Sequence, residues 1–277
     1  MEFTTRAATM ADLEDLCAIE RSAIPGYEYM YDNRHFFFEE APGEMVLAVA
    51  ENGEAAGMGR YSILPDGSGW LEILRVKKEY QNMGAGKAIY RRYMQLAKET
   101  NAPSVAMFTG RSNLASKGLA ERNGFHLAAA YLGGDLALEG RSAPCADFAE
   151  VTDPTQAAAL IAPHVEGWGP FLVLNRTFFH YGEPLYRYLC EQHMVYGSGT
   201  EVVVLGARML RERGLHLGMF GGDTEKCLSF AADKAAALGA KKLSVMYPPR
   251  REDIREATLA AGYEDSGELI VMEWTRS

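Results

Sequence analysis

The pattern of apolar positions is clearest in residues 71–93, which have the features of a strand, a tight turn and the start of a helix. Residues 71–76, LEILRV, are rich in strand-forming side chains and predict a strand. The next ten residues are mostly polar and include two glycines, which predicts a turn. Ile89, Tyr93 and Leu96 then follow at spacings of four and three, the period of one helical face. The stretch therefore predicts a strand that turns directly into an amphipathic helix.

Further elements are predicted on both sides of this stretch. Two apolar runs, residues 45–50 and 55–64, enclose the polar turn ENGE and predict a β-hairpin. The remaining predictions are a helix near the start and, after the central helix, a strand, a short helix and further strand structure, at residues 9–21, 104–109, 114–122 and 125–138.

The turn before the central helix has the composition of an anion site. Gly84 and Gly86 can adopt positive φ and let the backbone approach a ligand closely. A helix that begins at this point offers unpaired N–H groups and the positive end of its dipole, and Lys87 adds a charge. Two common phosphate loops are excluded, because Ala88 stands where a P-loop needs Ser or Thr and Ile89 where a dinucleotide fingerprint needs glycine. The alternative is a plain strand-to-helix connection whose glycines serve packing.

The turn sequence QNMGAG, after a strand that ends LRV, resembles the acetyl-CoA pyrophosphate loop of the GNAT N-acetyltransferase superfamily. Two downstream features of that family are also present, namely Asn113 and, eleven residues later, Gly124-Phe125. The resemblance covers residues 5–138 well and the remainder weakly. It implies an α/β fold (an α+β mixed sheet) in which a mixed, mostly antiparallel central sheet is flanked by helices.

The resemblance also implies a cofactor site. Backbone groups at the strand end would bind the pantetheine arm, the turn would hold the diphosphate, and an asparagine would reach the arm near the thioester. The residues so implied are Leu74, Arg75, Val76, Gln81, Asn82, Met83, Gly84, Ala85, Gly86, Lys87 and Asn113. In the family the acetyl group passes directly to an amine held beside the thioester, so we expect acetyl-CoA-dependent N-acetyltransfer. The Val76 N–H is the expected donor to the oxyanion.

A base must remove a proton from an ammonium before the amine can attack, and Glu72 is our candidate because it lies in the strand that leads to the cofactor site. The alternative is that Glu72 faces outward or serves an ion pair. Glu28 and Glu20 are weaker candidates for the base. The predicted substrate contacts are Tyr27, Glu28 and Trp70, since the aromatic stretch around Tyr27 would cover the acceptor site in the resembling family. These aromatic residues would otherwise close the edge of the core.

One position departs from the family pattern. Many GNAT enzymes place a tyrosine seven residues after the asparagine to protonate the leaving thiolate, and here that position is Ala120. Tyr131 and Ser116 are the substitutes we consider, although neither follows from the sequence. Two other functions therefore stay open: a non-catalytic acyl-CoA-binding or sensor protein, and an acyltransferase that acts on a hydroxyl.

The second half of the chain repeats the first at a fixed shift. Gly222 follows Gly84 by 138 residues, and Gly262 follows Gly124 by the same distance. We interpret this as two GNAT-like domains in tandem, residues 1–140 and 145–277, joined by a linker around residues 139–144. The alternative is a coincidence between two ordinary α/β sequences.

The second copy has lost the residues that suit a diphosphate. Met219, Thr224 and Glu225 occupy the positions of Gln81, Gly86 and Lys87, and Asp223 adds a second carboxylate. A charge-assisted hydrogen bond contributes roughly 1.5–3 kcal/mol, and a change of sign costs more. We therefore expect a degenerate domain without cofactor, which either packs against the first half or completes the acceptor pocket.

Composition narrows the class of protein. A net charge of −9 over 277 residues argues against binding nucleic acid through a basic surface. No apolar run approaches the ~20 residues of a membrane helix, and the first residues show no signal peptide. The four cysteines are far apart and indicate reduced thiols, so we expect a cytoplasmic protein. The six histidines lack ligand spacing, so we expect no metal. The expected partner is a small-molecule or peptide amine, and a homodimer is left open.

Overall fold

The computed structural model describes residues 1–140 and 148–276, and the chain forms two compact units. The first unit contains Met1–Thr109, Asn113–Leu127 and Met272–Ser277. The second unit contains Gly110–Ser112 and Ala128–Val271. None of the helices in the described residues combines the length and the apolar character needed to cross a bilayer.

A mixed sheet forms the centre of the first unit. Its strands are β1 (Phe3–Ala7), β2 (Gly43–Ala50), β3 (Ala55–Ile63), β4 (Gly69–Val76) and β5 (Ser104–Gly110). The first four strands pair antiparallel with their neighbours in sequence, and β4 pairs parallel with β5. The end of the last strand of the chain, β14 (Glu264–Thr275), also belongs to this unit. The predicted fold class is confirmed by this mixed, mostly antiparallel arrangement.

Helices cover both faces of this sheet. They are α1 (Leu13–Ala23), α2 (Tyr29–Asp32), α3 (Ala85–Glu99) and α4 (Leu114–Arg122). Ile19 of α1 shares a buried cluster with Met58 of β3. Ile89 and Tyr93 of α3 lie instead against Gly59, the next residue of the same strand. Because neighbouring strand residues point to opposite faces, α1 and α3 pack on opposite sides of the sheet.

A β-bulge interrupts β4 shortly before its end. Met58 of β3 pairs with Arg75, and Arg60 pairs with Glu72, so a single residue of β3 faces two residues of β4. One of those two, Ile73, has a φ of 49°, a conformation that β-branched residues rarely adopt. The bulge changes which face of the sheet the last residues of β4 present.

The strands β4 and β5 are paired over only part of their length. Their parallel register runs from Gly69 opposite Val105 to Leu71 opposite Met107, and no later pair is formed in these fully described strands. The backbone of residues 73–76 therefore has no ladder partner on the side of β5. Unpaired backbone groups need another partner, such as water or a bound ligand.

The second unit contains a sheet in the order β6-β13-β12-β11-β10-β7 and a separate hairpin, β8-β9. Only β12 and β13 of this order pair parallel. Its strands are β6 (His126–Ala137), β7 (Ala149–Glu150), β8 (Phe171–Leu174), β9 (Thr177–His180), β10 (Val195–Ser198), β11 (Glu201–Gly206), β12 (Leu215–Gly221) and β13 (Lys242–Tyr247). Its helices are α5 (Pro154–Ile161), α6 (Val165–Trp168), α7 (Glu183–Glu191), α8 (Thr224–Ala237) and α9 (Glu252–Ala260).

The two halves of the chain coincide in structure at the predicted shift. The helix α9 and the strand β14 begin and end 138 residues after α4 and β6, and α8 and β13 agree with α3 and β5 to within one residue. The last strand of each half is shared between the units, because β6 enters the second unit at Ala128 and β14 enters the first at Met272. The compact units therefore do not follow the predicted limits of 1–140 and 145–277, which stay a prediction about the repeat. Residues 141–147, with most of the predicted linker, lie outside the described residues.

We predict that Gly59→Ala lowers the free energy of unfolding by about 1–3 kcal/mol, because overpacking of a filled core costs this much. A Cβ at this position would overlap the hydroxyl of Tyr93, which is fully buried. Urea unfolding followed by circular dichroism measures the change. The control is Gly110→Ala, whose added Cβ meets no atom within 4 Å. Equal stabilities of the two variants would contradict the tight approach of α3 to β3.

Candidate active site

The N-terminus of α3 has no side-chain cap. Its N-cap residue is Gly84, with a φ of 111° and no side chain to accept a hydrogen bond. The Ala88 N–H bonds to the Gly84 carbonyl at 3.0 Å, and in the described residues the N–H groups of Ala85, Gly86 and Lys87 have no acceptor. Free N–H groups and the positive end of a 15-residue helix meet here. This arrangement suits an anionic group such as a diphosphate.

The turn before α3 is held in shape by contacts with the end of β4. The Gln81 side-chain Nε2 donates to the Val76 carbonyl at 3.1 Å. Asn82 has a φ of 62°, a left-handed conformation that asparagine tolerates. A Cβ at Gly86 would lie 3.2 Å from Leu119, which leaves little room for a side chain towards α4. The predicted cofactor residues of the turn, including the exposed Met83, thus form one continuous loop between β4 and α3.

The end of β4 has backbone groups that a ligand can reach, and one of its carbonyl groups already accepts a hydrogen bond. Leu74, Arg75 and Val76 are partly exposed and lie beyond the last pair of β4 with β5. The Arg75 Nη1 donates to the Leu74 carbonyl at 2.9 Å, so that oxygen already has one partner. The Val76 N–H stays the predicted oxyanion donor.

Asn113 has a local role that the sequence analysis did not anticipate. It is the N-cap of α4, and its side-chain oxygen accepts from the Ser116 N–H at 3.1 Å. Only the Nδ2 amide of this side chain remains to reach the predicted cofactor arm. Ala120, at the usual position of the acid, is fully buried in the same helix.

The two substitutes considered for the acid lie in different surroundings. Ser116 is partly exposed in α4. Tyr131 is buried in the second unit, where its hydroxyl contacts both the N–H and the carbonyl of Phe171 at 3.2 Å. Burial raises the pKa of the Tyr131 hydroxyl above its ordinary value of 10, so the hydroxyl keeps its proton. Tyr131 is thus fixed by the packing of the second unit, and we do not pursue it as the acid.

The candidate base Glu72 is a partly buried residue of β4. Its Oε1 accepts from the Ser62 Oγ at 2.6 Å, and Ser62 is fully buried on the neighbouring strand. Arg60 lies opposite Glu72 in the register. These neighbours fix the direction of the carboxylate, and Ser62 is a site residue that the sequence analysis missed, because only the pairing of β3 with β4 brings it there.

The predicted substrate contacts differ in exposure. Tyr27 is 47% exposed and stacks on Tyr29 with ring centroids 6.2 Å apart, and Glu28 is exposed beside it. Trp70 is 1% exposed and stacks on Phe108 at 6.3 Å. Tyr27 and Glu28 thus lie on an accessible loop between α1 and α2, whereas Trp70 lies inside the first unit. Their contact with a substrate stays a prediction.

In the second unit the corresponding helix terminus is already neutralised by its own side chain. Asp223 is the N-cap of α8, and its carboxylate accepts from the Lys226 N–H at 2.9 Å. Gly222 has a φ of 103°, close to that of Gly84, so the backbone of the turn is preserved. The Lys226 ammonium pairs with Glu201 at 2.6 Å. A pocket at this turn is lined by three carboxylates, Asp223, Glu225 and Asp233, and by one ammonium, Lys226, so its net negative charge disfavours a diphosphate.

A metal site is not formed by the part of the chain that the structure describes. In residues 1–140 and 148–276, no three His, Cys, Asp or Glu side chains are grouped so that they could hold an ion.

Comparison with known proteins finds a matching family model and solved structures of similar fold. Residues 8–125 match the model of the acetyltransferase (GNAT) family. No curated protein matches the chain in sequence. A GCN5-related N-acetyltransferase from Sphaerobacter thermophilus is similar in structure with a TM-score of 0.66 and 14% identity, over 99% of this chain and 95% of the other. A tandem GNAT protein from the clavulanic acid biosynthesis pathway is similar with a TM-score of 0.59 and 14% identity, over 99% and 98%. At these identities the structural likeness establishes the fold alone, which this chain shares with both proteins over nearly its whole length.

We predict that Asp223→Ala lowers the free energy of unfolding by about 1 kcal/mol, the usual cost of losing an N-cap. The Lys226 N–H would lose its acceptor. Denaturant titration of the variant against Glu256→Ala, an exposed residue within α9, measures the effect. Equal stabilities of these two variants would show that the cap does not stabilise α8.

Proposed function

We propose that this protein is an acetyl-CoA-dependent N-acetyltransferase that acts on an amine of a small molecule or peptide, a proposal supported by the match of residues 8–125 to the model of the acetyltransferase (GNAT) family. The observation that carries this proposal is the uncapped N-terminus of α3 behind Gly84, which offers free N–H groups to an anion. The α8 terminus, with its own carboxylate as cap, supplies the contrast within one chain.

The first unit would bind the cofactor along one path. The loop from Gln81 to Lys87 would hold the diphosphate through its backbone N–H groups, with the Lys87 ammonium close by. The unpaired backbone beyond Leu71 would bind the pantetheine arm in the manner of an added strand. The Asn113 Nδ2 would contact the arm near the thioester.

The acceptor amine would be held between the strand end and the loop of Tyr27. Acetyl-CoA supplies an activated thioester, and the chain supplies position, a donor for the oxyanion and a base. Positioning alone contributes up to about 7–11 kcal/mol in favourable cases. The Val76 N–H would donate to the oxyanion, and the Glu72 carboxylate, directed by Ser62, would accept the proton of the ammonium.

The buried Ala120 leaves no proton donor at the usual position of the acid. A thiolate with a pKa near ~8.5 is a tolerable leaving group, so transfer does not depend on a strong acid at this position. The same residue is what favours the second candidate function, a binding or sensor protein that holds acyl-CoA without turnover. Release of CoA thiol with an amine distinguishes the two, and the mass of the product separates an amine acceptor from a hydroxyl.

The proposal includes a cytoplasmic location. Three cysteines of the described residues, Cys17, Cys190 and Cys227, are free and buried, which fits a reducing compartment.

We predict that Gly86→Glu raises the Kd of acetyl-CoA by at least about 10- to 150-fold, the equivalent of losing one charge-assisted contact. The new carboxylate would lie in the turn that offers N–H groups to the diphosphate. Gly86→Gln controls for size, since both side chains crowd Leu119 alike. Thr224→Glu, at the corresponding position of the second copy, should leave the Kd unchanged. Isothermal calorimetry checks all three variants, and equal losses for Gly86→Glu and Thr224→Glu would show that the second turn binds cofactor.

We predict that Glu72→Gln lowers kcat by about 10²–10⁴-fold, the usual contribution of a general base, with little change in the Kd of acetyl-CoA. Stopped-time assays of CoA release between pH 6 and 9 measure the rate, and Glu40→Gln is the control at an exposed carboxylate. A pH profile that is the same in Glu72→Gln and in the unmodified protein would exclude Glu72 as the base.

A further inference from the structure

Two buried oxygen atoms at the corner between α1 and α2 have no hydrogen-bond partner. They are Glu20 Oε1 and Asn33 Oδ1, and each residue is only 1% exposed. A buried acceptor without a donor costs free energy that the folded chain must recover elsewhere. A ligand that supplies the missing donors would explain why these two acceptors are left without a partner.

Both side chains are fixed to the same turn of helix. The second oxygen of Glu20, Oε2, accepts from the Met30 N–H at 2.8 Å. The Asn33 Nδ2 donates to the Tyr29 carbonyl at 2.9 Å. Because Tyr29 and Met30 are adjacent, the two unpartnered oxygens belong to one small region around the start of α2. We call this region the α1–α2 corner.

The α1–α2 corner is linked to both sides of the proposed reaction. The Glu20 carboxylate interacts electrostatically with the Arg75 guanidinium. Arg75 lies at the end of β4, along which the cofactor arm would run. The same corner anchors the exposed loop of Tyr27 and Glu28, the predicted acceptor contacts. Burial raises the pKa of the Glu20 carboxyl above its ordinary value of 4.5, and the attraction of Arg75 opposes this rise.

The chemistry of the two oxygens selects the ligand. Both atoms are acceptors, so a ligand that satisfies both of them must provide two donors. A primary ammonium has three N–H donors and a positive charge, whereas a hydroxyl has a single donor. Glu28 and Asp32 place negative charge near Glu20, and Arg75, Arg21 and Arg34 are cations near the corner.

On the basis of the proposed function, we propose that Glu20 and Asn33 form the subsite that holds the acceptor ammonium, so that they set the preference for an amine over a hydroxyl. Glu20 and Glu72 then have separate roles. Glu72 is already directed by Ser62 and would take the proton, whereas Glu20 keeps a free oxygen for the ligand. A subsite of this kind acts on KM and a base acts on kcat.

The test uses Glu20→Gln, because glutamine keeps the volume and still accepts from the Met30 N–H while it removes the charge. Binding of primary amines and their alcohol analogues is measured by calorimetry in the presence of CoA, with tyramine and tyrosol, hexylamine and hexanol, and glucosamine and glucose as pairs. We expect the unmodified protein to bind at least one amine 10-fold or more tightly than its alcohol. In Glu20→Gln this preference should fall to about 3-fold or less. Glu14→Gln, an exposed carboxyl of α1, is the control.

A stability measurement keeps the test independent of turnover. A folded-state pKa that is raised above the unfolded value means that folding takes up a proton, so stability falls as pH rises through the folded pKa. Glu20→Gln should therefore melt at a higher temperature than the unmodified protein at pH 7 to 8, and at about the same temperature below pH 4.5. This result would also show that the variant is folded.

The outcomes separate the subsite from the proposed function. The subsite is wrong if Glu20→Gln keeps the full preference for amines, or if the unmodified protein binds acetyl-CoA but no amine more tightly than its alcohol. A kinetic version gives the same decision, because Glu20→Gln should raise the KM of an accepted amine 10-fold or more with kcat within about 3-fold. Failure of the unmodified protein to bind acetyl-CoA would instead contradict the proposed function itself.

Discussion

The constraint on which the candidate site depends is that a helix begins with N–H groups that have no partner inside the helix. In α3 the residue before the helix is Gly84, which has no side chain to accept from these groups, and its φ of 111° directs the turn so that they stay open. In α8 the same problem is solved internally, because Asp223 places its carboxylate on the Lys226 N–H. The start of α3 therefore offers its N–H groups to an external acceptor, whereas at α8 one of these groups already has an internal one. The supply of this acceptor is one difference between the two copies, while the φ of the glycine before the helix is similar at Gly84 and Gly222.

The second constraint is the bulge in β4, which decides what surrounds that helix terminus. The extra residue at Ile73 breaks the ladder with β3, and the pairing with β5 has already ended at Leu71. The positive φ of a β-branched residue is a costly conformation, so the surrounding packing must hold it in place. Gly59 contributes, because the absence of a side chain lets Tyr93 of α3 lie directly on β3 opposite the bulge. The packing of α3 thus supports both the open strand end and the helix terminus that follows it.

Much of this could be predicted from local sequence, and the limits have physical reasons. The periodicity of Ile89 and Tyr93 gave α3, the apolar pattern gave α4 at its observed limits, and the shift of 138 residues anticipated the matching elements of the second half. The bulge at Ile73 was not predicted, because a positive φ at isoleucine is imposed by tertiary packing and has no local signal. The capping role of Asn113 was missed although its position before a helix is a recognised signal. The contact of Ser62 with Glu72, which are only ten residues apart in the chain, depends on the register of β3 against β4.

Two carboxylates of the first unit, Glu72 and Glu20, differ in burial and in hydrogen-bond partners. These differences distinguish their proposed roles, which the composition of the chain does not. Glu72 has a donor in Ser62, so its direction is fixed before any ligand arrives. Glu20 has one donor in Met30 and one oxygen without any, in surroundings that disfavour its charge. A group that is already satisfied gains little from a ligand, whereas a buried group that lacks a donor gains the whole of the missing interaction. The free energy that the fold leaves unrecovered at Glu20 and Asn33 is therefore available to a bound ammonium, and the same reasoning applies to the open N–H groups of α3 and a bound diphosphate. In both places the first unit would bind its ligand by completing what its own chain leaves incomplete.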